Sequence, residues 1–204
     1  MRKAILFLFV LSLVGFISCK DESAPVVLLK GEIIMEHVLN SSFDEPGYVA
    51  FDDEDGDITD KVIVDSLNVN EAGEHIIKYT VADTEGNTAD AKRTVVVYNE
   101  ADNYAGVWVG EYVYPYPSVD KVEYNDKITT STTKNMGIII SDFGGNTGAN
   151  VTGVIRSNKI TFNDQTVNGE AFTVQHTSIT DNSSRITIEY TIGNTKGVLV
   201  LAKQ

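Results

Sequence analysis

Between Glu74 and Asp83 the chain alternates, with Ile77, Tyr79 and Val81 in one set of positions and Lys78 and Thr80 in the other. A period of two puts these sets on opposite faces of a strand, one toward a core and one toward water. The same pattern returns over residues 93–98. The intervening Asp83-Thr84-Glu85-Gly86-Asn87 supplies the positive-φ positions that a hairpin turn requires. Upstream, Pro46-Gly47-Tyr48 leads a short strand into an acidic turn at 52–57, and Val62-Ile63-Val64 follows as another strand. Helical periodicity is scarce after residue 18, and Thr, Val, Ile and Tyr are frequent, as a pleated, half-buried surface favours. The pattern predicts an all-β protein.

From Tyr104 the character changes. Charge density falls, Gly, Asn and Thr rise, and turn signals such as Ser157-Asn158 and Gly193-Asn194 recur at short intervals. About eight candidate strands with short connections predict an antiparallel meander that closes into a small barrel, which removes exposed edges. The polar stretch Glu100-Ala101-Asp102-Asn103 reads as a joint between two domains, 26–99 and 104–204.

The N-terminal motifs carry a specific resemblance. Glu45-Pro46-Gly47, Glu54-Asp55-Gly56-Asp57-Ile58-Thr59, Glu71-Ala72-Gly73-Glu74 and the run from Tyr79 to Asn87 occur in that order, and together they resemble the bacterial Ig-like surface domain over residues 24–99. The resemblance implies an Ig-like β-sandwich of about seven strands, used as a spacer or binding module and without catalytic residues. Farther on, Tyr104-Ala105-Gly106-Val107-Trp108-Val109-Gly110-Glu111-Tyr112 and Ser141-Asp142-Phe143-Gly144-Gly145 resemble the C-terminal domain of Bacteroidetes lipoproteins encoded with starch-utilisation-type glycan uptake systems.

The first 18 residues do not fit the β pattern. Arg2 and Lys3 precede an apolar run, and Ser18 stands before Cys19, the one cysteine of the chain. The run is shorter than the about 20 residues a spanning helix needs, and its charge and small-residue boundary read as a secretory signal. Phe16-Ile17-Ser18-Cys19 resembles the lipobox of bacterial lipoproteins, which implies cleavage before Cys19, lipidation of that residue and a tether over 19–25. Lys20-Asp21-Glu22 resembles the export signal of Bacteroidetes surface lipoproteins. The expected location is the outer membrane, lipid-anchored and facing outward.

Composition narrows the partners. The sequence has 29 Asp+Glu against 16 Lys+Arg, and two of those cations leave with the leader. A nucleic-acid partner, which demands a basic face, is excluded. No Cys/His cluster offers a zinc or iron–sulfur site, so no cofactor is expected apart from a structural calcium. Asp53, Asp55 and Asp57 gather hard oxygen ligands of the kind calcium takes. They fit a solvated turn with Asp side chains capping backbone amides equally well.

Aromatic residues supply the remaining candidate chemistry. Trp108, Tyr112, Tyr114 and Tyr116 fall on one face of an extended segment. Tyr112, Tyr114 and Tyr116 are candidate glycan-binding residues, because exposed rings form flat platforms for sugars; Trp108 serves either as platform or as core. His37, His75 and His176 are far apart in the chain and show no triad pattern, which leaves a small hydrolase as the weakest reading. The expected function is non-enzymatic. The partner is a polysaccharide or an uptake-system protein, or else a protein bound by an adhesion or assembly subunit.

Overall fold

A computed structural model describes residues 22–113 and 121–204. The leader, Cys19, Lys20, Asp21, Tyr114 and Tyr116 lie outside the described residues. The chain divides into two compact units: Met1–Ile33, Glu45–Ser66 and Ile77–Arg93 in one, and Ile34–Asp44, Leu67–Ile76 and Thr94–Gln204 in the other. No helix of the described residues is long and apolar enough to cross a membrane.

The strands before Tyr104 are β1 (Val26–Leu29), β2 (Ile34–Val38), β3 (Tyr48–Asp52), β4 (Gly56–Asp57), β5 (Ile63–Val64), β6 (Gly73–Ala82) and β7 (Thr88–Tyr98). They form two sheets, β1-β3-β4 and β2-β7-β6-β5, and β2 pairs with β7 in parallel. Ile77, Tyr79 and Val81 are buried, as their alternation predicts. In the first unit Val81 packs with Ala50 and Ile58, flanked by Val27, Val62 and Ala89.

Arg93 occupies an inward position of β7 and is fully buried. A buried guanidinium is tolerated only when it is paired and its donors are used. Here it faces Glu45 at 3.1 Å and donates to the carbonyls of Lys30 at 2.7 Å and Glu32. Its Nε donates to the Tyr79 hydroxyl at 3.2 Å, and that hydroxyl donates to Glu45 at 2.6 Å. One cation thus clamps the chain just after β1 to Glu45 and Tyr79.

The second unit contains β8 (Gly106–Val113), β9 (Val122–Thr130), β10 (Gly137–Ser141), β11 (Val151–Arg156), β12 (Lys159–Phe162), β13 (Gln165–Val167), β14 (Glu170–Thr180), β15 (Arg185–Ile192) and β16 (Thr195–Lys203). These nine strands form one antiparallel sheet in the order β12-β11-β10-β9-β8-β16-β15-β14-β13. The strand beyond the expected eight is β13, which forms a hairpin with β14 through Asn168-Gly169, both at positive φ. Such a dipeptide is a strong hairpin signal.

The sheet curls into a nearly closed barrel, and side chains complete its seam. The Thr177 hydroxyl accepts from the Ile160 N–H and donates to the Ile160 carbonyl, both at 2.9 Å. The Gln165 side chain does the same for the N–H and carbonyl of Thr152 at 2.8 and 2.9 Å. The interior is apolar and aromatic, with Trp108, Ile128, Ile140, Phe143, Ile186, Ile188, Leu199 and Leu201 among its buried residues. Trp108 therefore serves as core, and its indole N–H donates to the Tyr104 carbonyl at 2.9 Å.

Candidate functional site

Alternation along three strands converges on one end of the barrel. Trp108 and Tyr112 of β8, Asp126 and Ile128 of β9, and Ile186, Ile188 and Tyr190 of β15 are all buried, and Tyr124 shares the inward face of β9. Deep in the barrel these positions are filled by Trp and Ile. Toward the mouth they become tyrosines, which leave a cavity of about 200 Å³ lined by Tyr112, Val122, Tyr124, Tyr190, Ile192 and Val167, with Gly144, Asn146 and Asn168 at its edge.

Glycines set the rings. A side chain on Gly145 would run into the Tyr124 ring, and one on Gly197 into the Tyr190 ring. Tyr112 meets Tyr124 edge-on at 5.5 Å and Phe143 at 5.8 Å. Phe143 in turn contacts Phe172 at 5.2 Å and Tyr190 at 5.0 Å, arrangements that suit the ring quadrupoles. The Gly-rich stretch after β10 inserts Phe143 into the core. At the edge, the Asn168 amide donates to Asn146 at 2.9 Å, and the Asn146 amide donates to the Phe143 carbonyl at 3.1 Å.

Below the mouth lies Asp126, 1 % exposed. Its Oδ2 accepts from the Tyr112 hydroxyl at 3.0 Å, and its Oδ1 is buried with no hydrogen-bond partner among the described residues. The carboxylate fills the space left by the missing side chain of Gly110. Burial raises its pKa to about 6; the Tyr112 hydrogen bond opposes the rise and the negative charge of Asp142 adds to it. Burial, and then the neighbouring Asp126 charge, push the Tyr112 hydroxyl far above the usual phenol range, so it remains a donor at every physiological pH.

The candidate residues are distributed unevenly. Tyr112 is 3 % exposed and belongs to the wall of the mouth, while Tyr124, 38 % exposed, presents the accessible ring. Tyr124 carried no signal of its own, because only the pairing of β8 with β9 brings it beside Tyr112. Glu22 is exposed in the coil before β1.

The acidic turn resolves into local contacts. Asp52 accepts from the N–H groups of Glu54 and Asp55, both at 2.9 Å. Asp55 pairs with Lys61 at 3.0 Å and accepts from the Thr84 hydroxyl, and Asp57 accepts from the Thr59 N–H at 3.0 Å. Hydrogen bonds from Thr84 and Lys61 hold the Asp55 carboxyl below its ordinary range, and those from Thr59 do so for Asp57. The exposed Asp53 completes the trio, and among the described residues no group of three or more His, Cys, Asp or Glu is arranged to hold a metal ion. His37 and Ser41 lie 3.1 Å apart, but the Ser41 hydroxyl donates to the Val38 carbonyl at 2.7 Å, which makes the pair a turn cap.

Residues 27–97 match the family model described as bacterial surface protein, Ig-like domain. No curated protein matches the chain. Among solved structures, a lipoprotein from Bacteroides thetaiotaomicron aligns with 88 % of this chain and 100 % of its own at 21 % identity and a TM-score of 0.39. The CBM51-2 and INT domains of Clostridium perfringens ZmpB, solved with GlcNAc, align with 88 % of this chain and 44 % of theirs at 17 % identity and a TM-score of 0.31. A longer ZmpB structure containing the M60 catalytic domain aligns with 89 % of this chain and 21 % of its own at 16 % identity and a TM-score of 0.33. Structural likeness at this level assigns nothing to this chain.

Proposed function

We propose that this chain is a non-enzymatic surface lipoprotein, held to the outer membrane through Cys19, whose barrel mouth binds a neutral glycan for an uptake system. The observation that carries the ligand class is the lining of the mouth. In a chain with a large excess of acids, the described residues that wall the cavity are tyrosines, aliphatic residues and two carboxamides, with no charged side chain among them. Phenol rings and amides suit a hydroxylated, uncharged ring: the rings cover its apolar face and the amides meet its hydroxyls. The volume is below the about 300–1,000 Å³ of pockets for drug-sized ligands, so it fits one sugar unit or a chain end.

The Ig-like family description supports a surface location, and the first domain would act as a spacer. The leader, Cys19 and the Lys20-Asp21-Glu22 run support lipidation and outward export. An anchored binder works by raising the local ligand concentration, so weak contacts suffice.

Affinity electrophoresis of the mature protein against neutral and acidic polysaccharides tests this reading. Retardation is expected with a neutral glycan. Tyr124→Ala should weaken it by about 1–2 kcal/mol, the worth of one covered aromatic face, without loss of fold, because that ring is partly exposed. Binding of acidic glycans only overturns the neutral-glycan assignment, and binding of none by a folded protein favours the adhesion or assembly reading with a protein partner.

A further inference from the structure

The outer face of the β1-β3-β4 sheet bears an apolar block that the fold leaves uncovered. Val26 and Leu28 point outward from β1 and are 52 % and 55 % exposed, and Phe51 of β3 is 47 % exposed. Val26 stands opposite Phe51, and Leu28 opposite Val49, so two cross-strand pairs form one contiguous patch. The alternate residues Val27 and Ala50 face the sandwich core. β1 is also the edge strand of its sheet, a position that proteins ordinarily protect with charge, proline or cover. A contiguous exposed apolar block on a soluble surface marks a contact site.

The position of the block in the chain points to its cover. Cys19 and Val26 are seven residues apart; at about 3.3–3.6 Å per residue a fully extended chain spans roughly 25 Å at most. We propose that this face rests on the lipid bilayer, with Val26, Leu28, Val49 and Phe51 entering the boundary between headgroups and acyl chains. The proposal rests on lipidation of Cys19 as read above. Asp57 lies opposite Phe51 on β4 and the acidic turn borders the patch, so the face fits zwitterionic lipid and is repelled by anionic lipid.

The test uses the full lipidated protein in phosphatidylcholine–phosphatidylethanolamine vesicles. Phe51→Trp and Leu28→Trp report on the face, Ile63→Trp on the other sheet serves as control, and the buried Trp108 is an internal reference. Phosphatidylcholine brominated high in its chains should remove most of the added emission at positions 51 and 28 and leave that of 63 and 108 unchanged. Replacing part of the phosphatidylcholine with phosphatidylglycerol should reduce the effect. Protein that floats with the vesicles but shows no bromine quenching overturns the docking and leaves the anchor intact. Equal quenching at 51 and 63 overturns a preferred face. Shielding from acrylamide without bromine quenching assigns the patch to a second copy or a protein partner and overturns the lipid contact. Protein that does not float overturns the anchor reading and this proposal with it.

Discussion

Asp126 is the residue at which the barrel departs from economical packing. A carboxylate in an apolar interior is costly unless donors hold its charge, and here Tyr112 supplies one hydrogen bond to one oxygen. Its folded pKa, about 6, lies above the ordinary 3.8, so between these values the folded state holds a proton that the unfolded state releases. Stability from this group is therefore full below about pH 4, is lost as pH rises to about 6, and stays lost above it. The difference corresponds to about 3 kcal/mol at neutral pH, taking about 1.4 kcal/mol per unit. Asp126→Asn should raise the urea midpoint of the barrel unit at pH 7.5 and do so by only about a third as much at pH 4.5. An equal effect at both values would show that charge is not what the mutation removes. Asp55 and Asp57 in the first unit have lowered pKa values and act in the opposite sense, losing their contribution only as pH falls through their folded values. Asp83 belongs with them: burial pushes it up, but hydrogen bonds from Asn87 and neighbouring amides outweigh that.

At the scale of elements, the barrel seam is decided by two side chains standing in for a ladder. β12 and β14 lie at the seam, where the bonds run from the Ile160 backbone to the Thr177 hydroxyl. Thr177→Val keeps the shape but leaves a buried N–H and carbonyl without these partners, at about 1–3 kcal/mol. Amide exchange at Ile160 should accelerate while that of β8 and β16 stays slow. Unaltered exchange at Ile160 would mean that the seam closes by packing alone. The start of the barrel unit can be tested in the same terms. The buried Asn99 donates to the carbonyls of Ser131 and Lys134 at 2.8 and 2.9 Å and accepts from the Met136 N–H at 2.8 Å, and Ala101 belongs to the barrel core. A fragment spanning 94–204 should melt higher than one spanning 104–204, which lacks both. Equal melting temperatures would make the 99–103 stretch a mere connector.

For the whole molecule the decisive property is where it is held. On the proposed lipidation, Cys19→Ser should abolish lipid labelling and release the protein from membranes, because it removes the thiol that would carry the acyl anchor, and a stable anchor needs more than one acyl chain. Membrane retention that survives this change in high salt would require a different anchor. Retention lost together with glycan capture by cells, while the purified variant still binds the same polysaccharide, would separate the anchoring function of the N-terminus from the binding function of the barrel.

Local physics settled much of this protein in advance. Period-two alternation at Ile77, Tyr79 and Val81 fixes which side chains are buried, and a strand has only two faces on which to place them. The same logic made the chain all-β, while the sandwich before the barrel came from the resemblance of the motifs between Glu45 and Asn87 to the bacterial Ig-like surface domain. β13 was missed from the eight expected strands, although Asn168-Gly169 gave it a local turn signal, because a run of three residues is too short to show alternation. The mouth of the barrel was not legible. Tyr112 joins Tyr124, Tyr190 and Asn146 only because strands and loops distant in sequence meet at one end of a curled sheet, and pairing between distant strands is not written in either strand alone. Asp126 was equally hidden: its burial depends on the space left by Gly110 on the neighbouring strand. The contacts of the acidic turn were hidden as well: Lys61 and Thr84 reach Asp55 only in the folded chain, because the donors that a carboxylate meets are delivered by tertiary structure.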